Sequence, residues 1–211
     1  MYMGANTTGY ATSFFIPTII NQMGFTAAQS QIRAIPIFVV AAIVSLTVAW
    51  ATDRFKHRYS FIIAGCSLGI VGYAVLLNLV RVSVGVRYMA AFFITAGGYM
   101  AQPVTIAWLS NQMGGHYKRA IGSAFQIGFG NMGGIIASNI FLKKELPRYP
   151  TGFGTALGFL GVTMVASSIF FVGLFLENRK REKGGRDYRY QEEESELNNM
   201  GDDHPRFKFS Y

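Results

Sequence analysis

The sequence is short of charge, and above all of acid. Charged side chains make up 14% of its 211 residues, where a soluble domain carries about a quarter. Residues 1–176 hold two carboxylates, Asp53 and Glu145, against 11 lysines and arginines. There is one cysteine, Cys66, so a disulfide scaffold is excluded. The three histidines, His57, His116 and His204, are too scattered to form a metal site, and none pairs with Cys66. No phosphate-binding loop and no dinucleotide fingerprint occurs. An intramembrane serine protease would need a histidine within a membrane span, and none of the three lies in a predicted one. The chain is therefore not expected to be an enzyme, and no cofactor or metal is expected. Disorder is excluded over most of its length, because 51% of the residues are hydrophobic and 15% aromatic.

The net charge of +8 suggests nucleic acid only until it is mapped. The basic residues form no patch. They punctuate long runs free of Asp, Glu, Lys and Arg, at 1–32, 34–52, 59–80, 88–117, 120–142 and 149–176. A bilayer core about 30 Å thick is crossed by about 20 mostly apolar residues of helix. The runs predict an all-α membrane protein with six transmembrane helices, near 3–23, 34–52, 60–80, 88–109, 120–142 and 154–176. Helices are expected rather than strands, because backbone polar groups in lipid must be satisfied within the segment. Alternate connections carry ten and six basic residues, and the richer set, with Arg54, Lys56, Arg58, Lys118, Arg119 and the start of the tail, should be cytoplasmic. Two regions follow: a six-span transmembrane domain, 1–176, and a disordered cytoplasmic tail, 177–211, basic at first and acidic at 192–196 around Ser195. The basic stretch can act as a stop-transfer anchor or attract anionic lipid.

No predicted span carries a charge at mid-depth, so no in-span proton carrier is evident. Neutral polar residues and glycine take that place. At 100° per residue, Asn6, Tyr10, Ser13 and Pro17 share a face of the first span, within about 60° of one another. Thr95, Tyr99, Gln102 and Ile106 share a face of the fourth. On the fifth, Gly122, Gln126, Gly130, Gly133 and Ala137 form a stripe of mostly small residues, while Ser123, Asn131, Gly134 and Ser138 lie on another side. Such faces suit helices that pack closely on one side and line a wet cavity on the other. The alternative for Asn6 and Asn131 is that they only glue helices together. The pairs Gly130–Gly134 and Gly154–Gly158 offer close helix approach. Pro17, Pro36 and Pro103 should bend their helices, either as static kinks or as part of gating and site formation.

The loop Ala49-Trp50-Ala51-Thr52-Asp53-Arg54-Phe55-Lys56-His57-Arg58 resembles the cytoplasmic signature of the major facilitator superfamily, G-x-x-x-D-R-x-G-R-[RK]. Asp53, Arg54 and Arg58 match it. Ala49 replaces the first glycine, and Lys56 and His57 depart at the second glycine and the following arginine. Longer stretches, FFIPTIINQMGFTAAQSQ, QPVTIAWLSNQMGGHYKRAIGSAFQIGFGNMGGIIAS and LPRYPTGFGTALGF, are similar to the fungal anion:cation symporter branch, the allantoate and nicotinate permeases and their relatives. Trp108, Asn111, Lys118, Arg119, Asn131 and Gly134 carry it best. The resemblance covers residues 1 to about 180 and aligns with the C-terminal six-helix half of the twelve-helix fold.

The resemblance implies alternating access around a central site, lined by the first, second, fourth and fifth spans, with the third and sixth peripheral. It implies transport of a small organic anion or vitamin-like solute, proton-coupled in the full-length protein, with the plasma membrane as the family's usual address. Asn6, Tyr10, Tyr99, Gln102, Gln126 and Asn131 would bind the solute, and Asp53, Arg54 and Arg58 would form a conformational hinge. The partners expected are that solute, membrane lipids, and the missing N-terminal half or another chain supplying it; nucleic acid is not expected. Truncation of a longer transporter is the expected reason for the missing half. A non-transporting sensor or assembly partner on a half-transporter scaffold is the alternative.

Overall fold

The computed structural model describes residues 1–78, 82–146, 148–191 and 200–211. The charge at Arg81 and the acidic run around Ser195 lie outside the described residues. Within them the chain is all helical, with α1 Tyr2–Asn21, α2 Ala27–Phe55, α3 Arg58–Leu77, α4 Val84–Gln112, α5 His116–Asn131, α6 Gly133–Asn139 and α7 Pro150–Glu182. Short 3₁₀ turns lie at Lys143–Glu145, Asp187–Gln191 and Gly201–Asp203.

Local chemistry explains several boundaries. After Gly24, whose φ of 96° suits glycine, a capping box opens α2. The Gln29 N–H donates to Thr26 Oγ1 (3.3 Å) and the Thr26 N–H to Gln29 Oε1 (3.2 Å). Pro150 begins α7, where a missing N–H costs nothing. Pro17, Pro36 and Pro103 all sit inside helices.

Three helices, Ala27–Phe55, Arg58–Leu77 and Pro150–Glu182, are long and apolar enough to cross a membrane by length and composition. The helices outside that set include α1, α4 and α5, which carry the polar faces. Helix α1 packs against α2, α4, α5, α6 and α7, while α3 packs on α4 and α7. Between α3 and α4 the backbones nearly touch: a methyl at Gly65 would lie 2.8 Å from the Gly97 carbonyl oxygen. The core gathers Trp108, Tyr73, Phe153, Ile62, Leu76 and Leu160. A smaller cluster, Ile16, Ile20, Ala34, Ile37 and Ala91, closes the α1–α2–α4 junction.

Two expectations are revised. The fifth predicted span, 120–142, is broken at Met132 into α5 and α6. Around the break the bonding tightens to three-residue steps, from the Met132 N–H to Phe129 O and from the Ile135 N–H to Met132 O. Gly128, Gly130, Gly133 and Gly134 supply the low helix propensity that permits it. The tail expected to be disordered from 177 does not begin there. Helix α7 runs on to Glu182, and residues 207–211 fold back onto the helix ends. Glu177 anchors this return, bonding Arg186 (2.9 Å) and Arg181 (3.1 Å). The Arg186 hydrogen bond, working against burial and aided by Arg181, holds the Glu177 carboxyl below the usual carboxylate range. Docking is possible because Phe207, Phe209 and Tyr211 alternate with polar residues, a two-residue period that suits extended chain.

Lys56 caps α2 in the left-handed region, φ 57° and ψ 18°, with its N–H bonded to Thr52 O. This is the position where the signature has glycine, and a side chain there costs about 1–2 kcal/mol. Lys56→Gly should therefore stabilise the protein by about 1 kcal/mol, read as a higher midpoint of thermal unfolding in detergent. A lowered midpoint would refute the strain.

Candidate functional site

Four of the six side chains expected to bind solute meet in one hydrogen-bonded run. Asn6 on α1 is 2% exposed. Its Nδ2 donates to Gly130 O and to Asn131 Oδ1, both at 3.0 Å, and its Oδ1 accepts from Gln102 Nε2 of α4. The Tyr10 hydroxyl donates to the same Asn131 Oδ1 at 3.4 Å. The order Gln102–Asn6–Asn131–Tyr10 ties α4, α1 and the end of α5 together at the helix break.

The approach of α1 to this break depends on glycine. A methyl at Gly133 would lie 3.0 Å from Met3 O and from Thr7 N, and one at Gly134 would lie 3.3 Å from the Tyr10 ring. The Gly130–Gly134 pair is thus a packing surface for α1. Gly154 and Gly158 face open space, so the second pair serves no helix contact among the described residues.

Every polar atom of the Asn6 side chain is spent within the protein. Asn131 is different. Its carbonyl oxygen accepts twice, which fixes the amide, while its Nδ2 has no hydrogen-bond partner among the described residues and the residue is exposed. The network therefore presents a fixed pair of neutral N–H donors. It can hydrogen-bond a small polar or anionic molecule, but no member of it can exchange a proton as a carboxylate or histidine does.

The remaining two residues sit apart. Gln126 Nε2 donates to Thr105 O of α4 at 3.1 Å, while its Oε1 is buried without a partner among the described residues. Gln126 borders a cavity of about 260 Å³ with Tyr2, Leu109, Phe125, Phe129 and Gly130. Tyr99 stands edge-on to Phe38 of α2, with ring centroids 6.3 Å apart. Ser13 and Pro17, on the Asn6 face, open onto another groove of about 470 Å³ between α1 and α2, walled by Ile35, Phe38 and Val39. Sequence reasoning missed Tyr2, which covers Gly130. Its place one turn before Asn6 could have revealed it, since residues four apart share a helix face.

At the end of α2, Asp53 and Arg58 form an ion pair at 3.5 Å, with side-chain exposures of 80% and 9%. A pair so open to solvent contributes little stability. Arg54 is exposed and makes no ion pair among the described residues. It lies in the last turn of α2, where a cation faces the negative helix end. The described residues contain no cluster of His, Cys, Asp or Glu able to hold a metal.

The chain is similar to several fungal transporters. It is 34% identical over 215 residues to the MFS-type transporter cnsO of Penicillium expansum, covering 98% of this chain and 41% of that one. It is 31% identical over 220 residues to the high-affinity nicotinic acid transporter of Saccharomyces cerevisiae, covering 99% and 39%. An uncharacterized transporter of Schizosaccharomyces pombe is 33% identical over 174 residues, covering 82% and 34%. The chain thus spans 34–41% of the length of these curated relatives. No family model and no solved structure matches it.

If the amide run holds the helices together, Asn6→Ala should cost about 2–3 kcal/mol by orphaning its partners. In Asn6→Ala/Gln102→Ala the loss should fall short of the sum by about 0.5 kcal/mol or more. Denaturant unfolding in detergent micelles measures both, and strict additivity would remove the coupling.

Proposed function

Because this chain belongs to the major facilitator superfamily, we propose that it forms a six-helix half of a transporter that moves a small organic anion across a membrane by alternating access. The observation that carries this reading is the Nδ2 of Asn131 at the α5–α6 junction, oriented by the two bonds to its own carbonyl oxygen and without a partner among the described residues. A carboxylate accepts hydrogen bonds and needs such donors. In this reading α1, α2, α3, α4, the α5–α6 pair and α7 make six crossings.

Asn131 would contact the solute directly, with Gln126, Tyr10, Tyr99 and Gln102 shaping its surroundings. Asn6 would set the amide orientations from behind. The nicotinic acid transporter among the relatives makes a monocarboxylate of that size a reasonable first solute. The other six helices of a twelve-helix protein would close the cavity and supply proton coupling, since the network here holds no titratable carboxylate or histidine. Arg54, Arg58, Lys118 and Arg119 lie near the ends of α2 and α4 and the starts of α3 and α5, which favours a cytoplasmic position for that end and for the tail. Asp53, Arg54 and Arg58 would act there as the hinge between inward- and outward-open states. The surrounding lipid would be that of the plasma membrane.

Uptake of radiolabelled nicotinate, allantoate and related anions by cells expressing the full-length protein tests this. Asn131→Ala should lower uptake about tenfold, the loss of about one charge-assisted hydrogen bond, and Gln102→Ala should lower it less, by freeing the Asn6 amide that orients Asn131. Asp53→Asn should change uptake without changing surface expression. Normal uptake of every accepted solute by both alanine variants would reject the binding site.

A further inference from the structure

Three buried polar side chains find their hydrogen-bond partners outside the helices. Trp108 is fully buried, Gln112 is 5% exposed and Asn178 is 2% exposed. All three turn to one short stretch of main chain. Asn178 exchanges two bonds with Phe209, its Nδ2 donating to the Phe209 carbonyl at 2.9 Å and its Oδ1 accepting from the Phe209 N–H at 3.0 Å. Gln112 does the same with Ser210, at 2.7 Å and 3.1 Å. Trp108 Nε1 donates to the same Ser210 carbonyl at 3.0 Å. Arg58 adds its own N–H to Tyr211 O at 2.5 Å and its guanidinium to Ser210 Oγ at 3.2 Å.

These contacts read the main chain, as a neighbouring β-strand would. The side chains add register. The Tyr211 ring lies 5.4 Å from Phe171, and the Arg181 guanidinium lies 4.6 Å from the Phe209 ring. Upstream, Asp202 accepts from Lys118 Nζ at 2.5 Å and from the Gly114 N–H at 3.0 Å, which ties the same segment to the α4–α5 turn.

Buried amide and indole groups are rarely left unpaired, so the pocket needs an occupant. We propose that Trp108, Gln112, Asn178 and Arg58 form a docking site for an extended peptide, and that its occupant is the chain's own segment 207–211. Seated there, the segment is a latch that fastens the start of α3 and the ends of α4 and α7, and through Asp202 it restrains the turn into α5. The docking is independent of whether a solute is transported.

Trp108 reports on it directly. Trp50 is 69% exposed and is the second tryptophan of the chain, so Trp50→Phe leaves Trp108 as the sole indole. In the full chain purified in detergent, Ser210→Pro removes the N–H that Gln112 accepts. Deletion of 204–211 removes the segment itself. Each should shift Trp108 emission to the red and raise its quenching by acrylamide severalfold. Ser210→Pro should also speed trypsin cleavage at Arg206 and Lys208. A synthetic peptide of residues 204–211 added to the deletion variant should restore the blue emission, and the same peptide N-methylated at Ser210 should not. Unchanged emission, quenching and cleavage in Ser210→Pro would overturn the latch, and equal restoration by both peptides would overturn main-chain recognition. A deletion variant that does not fold leaves the Ser210→Pro comparison decisive.

Discussion

A bundle with apolar outer helices has nowhere to put polar side chains except against one another, and Asn6 is where that constraint is met. It binds Gly130, Asn131 and Gln102 together, leaving none of its own polar atoms idle. A buried hydrogen bond of this kind contributes about 1 kcal/mol net, but an orphaned partner costs about 1–3 kcal/mol. The network is therefore held less by the strength of its bonds than by the cost of breaking any of them. That cost orients Asn131, and the proposed solute site rests on that orientation.

The same accounting governs the far end of the bundle. Trp108, Gln112 and Asn178 are as deeply buried as Asn6, yet their partners come from the last residues of the sequence. Arg58 joins both themes, reaching Asp53 across the α2–α3 turn and Ser210 in the returning segment. The turn itself carries strain at Lys56, a left-handed position filled by a long side chain. A loop that departs from the signature at its glycine and shares Arg58 with the tail is tied to the tail in a way its own residues do not reveal.

Two helices carry exposed apolar side chains that the proposed transport reading accounts for. Helix α5 exposes Ile121, Phe125 and Phe129, and α2 exposes Ile43, Leu46 and Trp50. Within the reading, such surfaces face lipid or the other six helices. The relatives, more than twice as long as this chain, leave ample sequence for that half. The neutral network then suits a role of holding a solute while charge-linked steps take place elsewhere.

Run length and punctuation by charge were enough to place the helices α1, α2, α3, α4 and α7, of which α2, α3 and α7 are long and apolar enough to cross a membrane. Helical periodicity put Asn6 with Tyr10 and singled out Gln102, because side chains four apart share a face. Periodicity within one helix says nothing about its neighbour, so it could not show that Asn6 spends itself on Asn131 while Tyr99 turns to Phe38. The break at Met132 was hidden as well, since glycine lowers helix propensity without fixing where a helix yields, and the approach of α1 decided that. Composition made the tail look disordered, because charge dominates residues 177–211. The aromatic residues at 207, 209 and 211 found a docking place only once the ends of α4 and α7, far apart in sequence, had brought Trp108, Gln112 and Asn178 side by side.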